Sequence, residues 1–124
     1  MARVKLIGGV AEVRYNGETL LFRSELTWNF QRYVKTGYAG RDSKVHGYTA
    51  EPSVPHIEGK FTHDGSKTIR DLEAIEDATV VVRLGDGRVL VLRGAYIAGE
   101  IKPNGDTGEL SLKWEGSDGE ELPA

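Results

Sequence analysis

Apolar and polar side chains alternate with a period of two in several segments, and this alternation limits the possible folds of the chain more than any other pattern in it. Residues 109–115 show it best, because Leu110, Leu112 and Trp114 share one face and polar residues separate them. Residues 25–30 alternate in the same way. Successive side chains of a β-strand point to opposite faces, so this pattern predicts strands with one face buried in a core.

Turn signals separate the strand segments. The dipeptide Asn16-Gly17 falls between two apolar runs and predicts a hairpin, because a type I′ turn needs positive φ at both central residues. Residues 79–84 and 88–92 flank the glycine-rich turn 85–87 and predict a second hairpin. Glycine makes up 16 of the 124 residues, well above the usual ~7%. The glycines fall between short apolar runs, which indicates turns rather than disorder.

One short helix is predicted within this strand pattern. Ile69, Leu72 and Ile75 recur at helical spacing, and Thr68 with Asp71 resembles a capping box in which Asp replaces Glu. A helix of about two or three turns is marginal on its own, so its apolar side is expected to lie on the sheet.

Together these elements predict a single domain over residues 1–124. Its fold class is mainly β: an antiparallel β-barrel or sandwich of about seven or eight strands, with one short α-helix and a long extended loop. The small and acidic residues 117–124 are expected to form a flexible tail.

Composition and charge exclude several classes of protein. Cysteine is absent, so neither a disulfide framework nor a thiolate metal site is expected. The net charge of −3 argues against a general affinity for nucleic acid, which needs clustered positive charge. No apolar stretch is long enough to span a membrane, and residues 1–9 are too short and too charged for a signal peptide or anchor. We therefore expect the protein to be made and used in a cytoplasm.

Residues 31–48, which we call the arm, form the longest segment without sustained periodicity. Ordinary loops rarely exceed ~12–15 residues unless they have a function. The arm concentrates basic and aromatic side chains in an otherwise acidic protein, which favours docking on another molecule. The alternative is a surface hairpin folded on its own body. The candidate docking residues are Arg32, Tyr33, Lys35, Tyr38, Arg41, Lys44, His46 and Tyr48.

A second feature is the run Val89, Leu90, Val91 and Leu92, which is apolar on both faces. One face of an antiparallel sheet usually meets water, so this strand needs a second cover. Either the short helix or a neighbouring subunit could provide that cover. Open sheet edges elsewhere would also pair with a partner, because the sequence offers little to blunt them.

Several short motifs lie in and after the arm: Thr36-Gly37-Tyr38-Ala39-Gly40, Val45-His46-Gly47-Tyr48, Pro52 and Pro55-His56-Ile57. Together these motifs resemble the signature region of Mu-like contractile-phage tail tube proteins. The likeness extends to the early glycines near residues 9–17, the predicted helix and the closing strand 108–116.

The resemblance implies a structural protein of the virion. Such proteins are similar to the secreted tube protein of type VI secretion systems, a β-barrel or sandwich with a flanking helix. Subunits form six-membered rings that stack into a tube, and the arm reaches the adjacent ring. The implied partners are further copies of the chain and the tail sheath, baseplate and tape-measure proteins. DNA would pass through the lumen without specific binding, no membrane is involved, and the tail would be assembled in the cytoplasm of a bacterial host.

A channel through which DNA slides favours a wall of net negative or mixed charge. Glu58, Lys60, Glu109 and Lys113 lie on polar strand faces and are candidates for this wall, with bulk solvent as the alternative. The cations of the arm are expected to meet acidic surface on the next ring. The candidate acids there are Glu115, Asp118, Glu120 and Glu121.

The sequence gives little support for catalysis. His46, His56 and His63 match no common zinc spacing, and neither a Gly-x-Ser-x-Gly elbow nor a P-loop occurs. We expect no enzyme activity, metal or cofactor. Two alternatives stay open: a small nucleic-acid-binding β-barrel, since basic and aromatic residues also bind single strands, and a type VI-like tube or adaptor ring.

Overall fold

A computed structural model describes residues 9–63, 65 and 67–123. Within them the chain forms ten strands and one helix. The elements are β1 (Val10–Tyr15), β2 (Glu18–Leu20), β3 (Phe22–Asn29), β4 (Tyr33–Ala39), β5 (Val45–Pro52), β6 (His56–Thr62), α1 (Ile69–Glu73), β7 (Ala78–Leu84), β8 (Val89–Ala98), β9 (Glu109–Glu115) and β10 (Asp118–Leu122).

The strands of the body are antiparallel and follow the order β2-β1-β7-β8-β9-β6-β3, with β10 also paired to β8. The long strand β8 belongs to two sheets. Residues 89–93 pair with β7 and β10 in the first sheet, and residues 96–98 pair with β9 in the second. The change of sheet falls near Gly94, whose φ of +64° suits glycine. The sheets do not close on each other, so the sandwich prediction is confirmed and the barrel alternative does not apply.

The predicted alternation places the core between the two sheets. Leu110, Leu112 and Trp114 are buried as predicted, and the Trp114 ring packs at a tilt against Tyr15 with ring centroids 5.5 Å apart. The largest fully buried side chains are Trp114, Phe61, Ile57, Leu90, Leu92, Val13, Val80 and Val82.

Local turn chemistry follows the sequence closely. Asn16 and Gly17 both have positive φ, +47° and +80°, which confirms the predicted hairpin between β1 and β2. The capping box is also confirmed. The Asp71 N–H donates to the Thr68 hydroxyl at 3.2 Å, and the Thr68 N–H donates to the Asp71 carboxylate at 3.0 Å. The helix is shorter than predicted, and only its Leu72 is buried.

The C-terminal segment differs from its prediction. Residues 118–122, expected to be flexible, form β10 along the first half of β8. The Trp28 indole donates to the Glu121 carboxylate at 2.7 Å, and Arg93 lies 3.0 Å from Glu120. Backbone pairing with an otherwise open edge of β8 and these side-chain contacts outweigh the weak strand propensity of acidic residues.

Candidate self-association surfaces

The arm is largely a β-hairpin. Strands β4 and β5 form a two-stranded sheet of their own, which extends to Pro52, four residues beyond the predicted end of the arm. Its regularity was not predicted because small, polar and aromatic residues alternate without one apolar face. Every residue of both strands is exposed, so the hairpin does not fold back on the body. We call Tyr33–Pro52 the hairpin from here on.

The tip of the hairpin is held by short-range hydrogen bonds. The Gly40 N–H donates to the Lys44 carbonyl at 2.9 Å, and the Lys44 N–H donates to the Asp42 carboxylate at 3.1 Å. The His46 ring lies 3.2 Å from the same carboxylate and packs where a side chain at Gly40 would be. The tip therefore has a defined shape that depends on glycine at position 40.

All eight predicted docking residues lie on the hairpin or at its base. Lys35 lies 5.3 Å from the Tyr48 ring centroid, a cation–π distance, and Arg32 at the base lies 3.9 Å from Asp118. Arg41 and Lys44 have no ion-pair partner in the described part of the chain. The exposed large side chains of the hairpin are Tyr33, Val34, Tyr38, Val45 and Tyr48.

The four candidate wall residues lie together on the outer face of the second sheet. Glu58 lies directly opposite Lys113, and Lys60 lies 2.9 Å from Glu25 and 4.0 Å from Glu109. The hydrogen bond to Glu25 holds the pKa of Lys60 above its ordinary value. Lys113 pairs with Glu115 of its own strand at 3.6 Å, so the face mixes acidic and basic side chains with no basic stripe among these residues.

The apolar side chains at residues 89–92 of β8 lie in two different environments. Leu90 and Leu92 are buried in the core, whereas Val89 and Val91 are half-buried on the outer face of the first sheet. Val91 lies between Val81 of β7 and Glu120 of β10. The helix contributes Leu72 to the core and so packs on the inner side. The prediction that the short helix covers the second apolar face of this strand is therefore wrong.

The acids expected to receive the arm already have partners within the chain. Asp118 and Glu120 pair with Arg93, at 3.7 and 3.0 Å. Glu121 accepts the Trp28 indole N–H, and Glu115 accepts the Tyr96 hydroxyl at 3.1 Å. By contrast, three exposed acids at the end of α1 and after it make no ion pair that the structure describes: Glu73, Glu76 and Asp77.

A pocket of about 300 Å³ opens beside α1, and sequence reasoning did not identify it. Tyr15, only 5% exposed, lines this pocket, and its hydroxyl has no partner at hydrogen-bond geometry among the described residues. Burial raises the pKa of Tyr15, and the nearby Glu18 carboxylate adds to the rise. Glu18 itself is paired with Lys67 at 3.2 Å. In the sequence Tyr15 resembles any core aromatic of a strand, so no signal marked the pocket.

Two structural findings bear on other classes of function. In residues 9–63, 65 and 67–123, no helix is long and apolar enough to cross a membrane. Over the same residues, no group of three His, Asp or Glu side chains is placed to hold a metal ion.

The described residues define an antiparallel β-sandwich protein with an exposed two-stranded hairpin. The profile of the phage tail tube protein family matches residues 5–121, nearly the whole chain. The chain therefore belongs to the phage tail tube protein family, and it is a structural protein of the phage tail. No curated protein gives a significant match.

Proposed function

We propose that the chain assembles into rings that stack into the tail tube, through which DNA passes. The observation that carries this proposal is the hairpin, whose two strands are exposed along their full length. An isolated two-stranded hairpin is at best marginally stable in water. A hairpin held away from its own body gains stability by packing on another subunit.

The side chains of the hairpin suit such a contact. Tyrosines supply large, rigid contact area together with a hydroxyl, and basic side chains set orientation and register. Each aromatic ring can bury about 150–250 Å². The hairpin and Arg32 at its base together carry a net positive charge in a chain whose net charge is −3, which favours attraction to acidic surface on another copy.

A tube needs contacts of two kinds. A head-to-tail contact that closes produces a ring, and one that does not close extends into a filament. The strands β2 and β3 end the sheet order and present edges to neighbours, and the half-buried Val89 and Val91 give an uncovered apolar strip. These features support lateral contacts within a ring, and the hairpin supports contacts between rings.

The outer face of the second sheet is our proposed channel wall. Its interspersed charges, with Glu58 opposite Lys113 in the strand register and Lys60 near Glu109, give a polar surface without a continuous basic stripe. Such a surface allows DNA to slide, because tight binding needs many cations that displace counterions from phosphate.

The finer features implied by the family resemblance are also part of the proposal. They comprise six-membered rings, a contractile sheath, contacts with baseplate and tape-measure proteins, and assembly in the host cytoplasm before incorporation into the virion tail. The proposed role is structural and needs no cofactor.

Light scattering after size-exclusion chromatography, followed by negative-stain electron microscopy, tests this function. We expect wild-type protein to form rings or hollow tubes. The variant Arg32→Glu/Lys35→Glu/Arg41→Glu/Lys44→Glu should give folded monomers or rings and no tubes. A control variant, Arg70→Glu/Arg83→Glu/Lys102→Glu, reverses three exposed cations elsewhere. Normal tubes from the hairpin variant, or a wild type that forms neither rings nor tubes even with preformed tail initiators, would contradict the proposal.

A further inference from the structure

The hairpin and the pocket lie at opposite ends of the second sheet. Asn29 and His56 are paired at the end where the hairpin leaves the body. Leu21, Phe61 and Thr62, at the other end of β3 and β6, line the pocket. At ~3.3 Å per residue, strands of this length separate the two ends by about 20 Å. The hairpin projects from one end, so its natural receptor is the opposite end of another copy.

The pocket is built to receive a side chain that is apolar and also forms hydrogen bonds. Its apolar lining includes Leu20, Leu72 and Leu112. The buried hydroxyl of Tyr15 lies near Glu18 and Lys67 but makes no hydrogen bond of good geometry with the described residues. An occupant with a hydroxyl of its own would fill the cavity and satisfy Tyr15.

The charged pair Glu18 and Lys67 lines the pocket itself, and further acids follow α1 in the chain. Leu72 lines the pocket, and the exposed Glu73, Glu76 and Asp77 directly follow it. Thr79, two residues after Asp77, is hydrogen-bonded to Asn16. Asn16 lies in the turn between β1 and β2, and Glu18 at the start of β2 lines the pocket. The acids after α1 thus stay close to the pocket and make no described ion pair.

We infer that the pocket beside α1 receives the hairpin tip of a second copy. Tyr38 enters the pocket, and the tip cations Arg41 and Lys44 face the acids after α1. Tyr38 is 54% exposed and has no described partner, whereas Tyr48 is already in contact with Lys35. Repetition of this head-to-tail contact produces a column of subunits. The inference therefore rests on the proposed tube function and identifies the surface that binds the hairpin of the adjacent ring.

Cross-linking between two singly labelled chains tests the contact directly. The chain has no cysteine, so any thiol cross-link can be assigned to the introduced pair. Subunits with Lys44→Cys and subunits with Glu76→Cys are mixed, assembled and treated with a short bis-maleimide. We expect the mixed dimer as the main product. Lys44→Cys mixed with Glu121→Cys is the control, and equal or greater cross-linking of that pair would overturn the inference.

A charge exchange tests the same contact without cysteine. Glu73→Lys/Glu76→Lys should abolish tubes while rings and the fold remain, and addition of Arg41→Glu/Lys44→Glu to that variant should restore tubes. Normal tubes from Glu73→Lys/Glu76→Lys would overturn the inference but leave the tube function standing. Failure of the wild type to form rings or tubes would instead overturn the proposed function.

Discussion

Gly119 of β10 lies directly against the ring of Phe30, at the end of β3 where the hairpin begins. A Cβ atom at position 119 would come within 2.5 Å of the ring Cγ. In the same region Arg32 contacts Asp118, and the Ser53 N–H donates a hydrogen bond to the Arg32 carbonyl. The C-terminal strand therefore forms part of the base from which the hairpin projects.

The first prediction concerns this contact. Gly119→Ala should destabilise the subunit by about 1–3 kcal/mol, because the added methyl group must displace the Phe30 ring or β10. Gly105→Ala is the control, since a Cβ there would meet nothing within 4 Å. Urea unfolding followed by circular dichroism measures both. Equal stability of the two variants would show that β10 does not hold Phe30 in place.

The second prediction separates the two faces of β8. Leu92→Ala should cost about 2–5 kcal/mol, because the side chain is fully buried in the core. Val91→Thr should change subunit stability by less than about 1 kcal/mol, since Val91 is half-buried on the outer face. If a neighbouring subunit covers that face, Val91→Thr should nevertheless raise the protein concentration needed for assembly. An unchanged assembly concentration would remove Val91 from the interface.

The third prediction is a pH dependence at the helix cap. The hydrogen bond from the Thr68 backbone holds the pKa of Asp71 below its ordinary value of 3.8. A lowered folded-state pKa contributes stability above the unfolded-state pKa, and this contribution is lost as the pH falls toward the folded-state pKa. Asp71→Asn keeps a side-chain oxygen and does not titrate, so its unfolding midpoint should fall less than that of wild type below about pH 4. Parallel pH profiles of the two proteins would contradict this role of Asp71.

The fourth prediction addresses the proposed channel wall. Glu58→Lys adds positive charge to the outer face of the second sheet, where Glu58 is exposed opposite Lys113. Assembly should survive, and the variant tubes should retain DNA at low salt and release it at high salt. Co-sedimentation of DNA with tubes measures this, and Asp106→Lys in an exposed loop is the control. Equal DNA retention by the two variants would place Glu58 outside the channel.

Much of the body was predictable because its signals are local. The alternation around Trp114 follows from strand geometry, and the turn at Asn16-Gly17 follows from the conformations open to those residues. Thr68 and Asp71 form their cap within one turn of helix. The family resemblance at the level of a tail tube protein is confirmed by the family match, whereas the Mu-like and type VI features stay predictions.

The hairpin was harder to predict because no core imposes a pattern on it. Both of its faces are exposed, so its residues show neither strand nor helix periodicity, although its candidate docking residues were identified from their charge and aromatic content. The prediction of a flexible C-terminal tail was wrong because the residues that hold this segment in place are distant in the sequence. The partners of β10, among them Trp28 and Arg93, lie far away in the chain.

The amino-acid sequence was sufficient to predict the β class, the hairpin turn at Asn16-Gly17, the helix cap, the buried residues of the closing strand and the family. These depend on neighbours within a few positions, where covalent geometry and side-chain alternation limit the choices. Three features required the folded structure: the sandwich arrangement of the sheets, the location of the hairpin and the Tyr15 pocket at opposite ends, and the ion pairing of the acids in the described part of the chain. These depend on which distant strands pair, and the cooperative burial of the whole core selects that pairing.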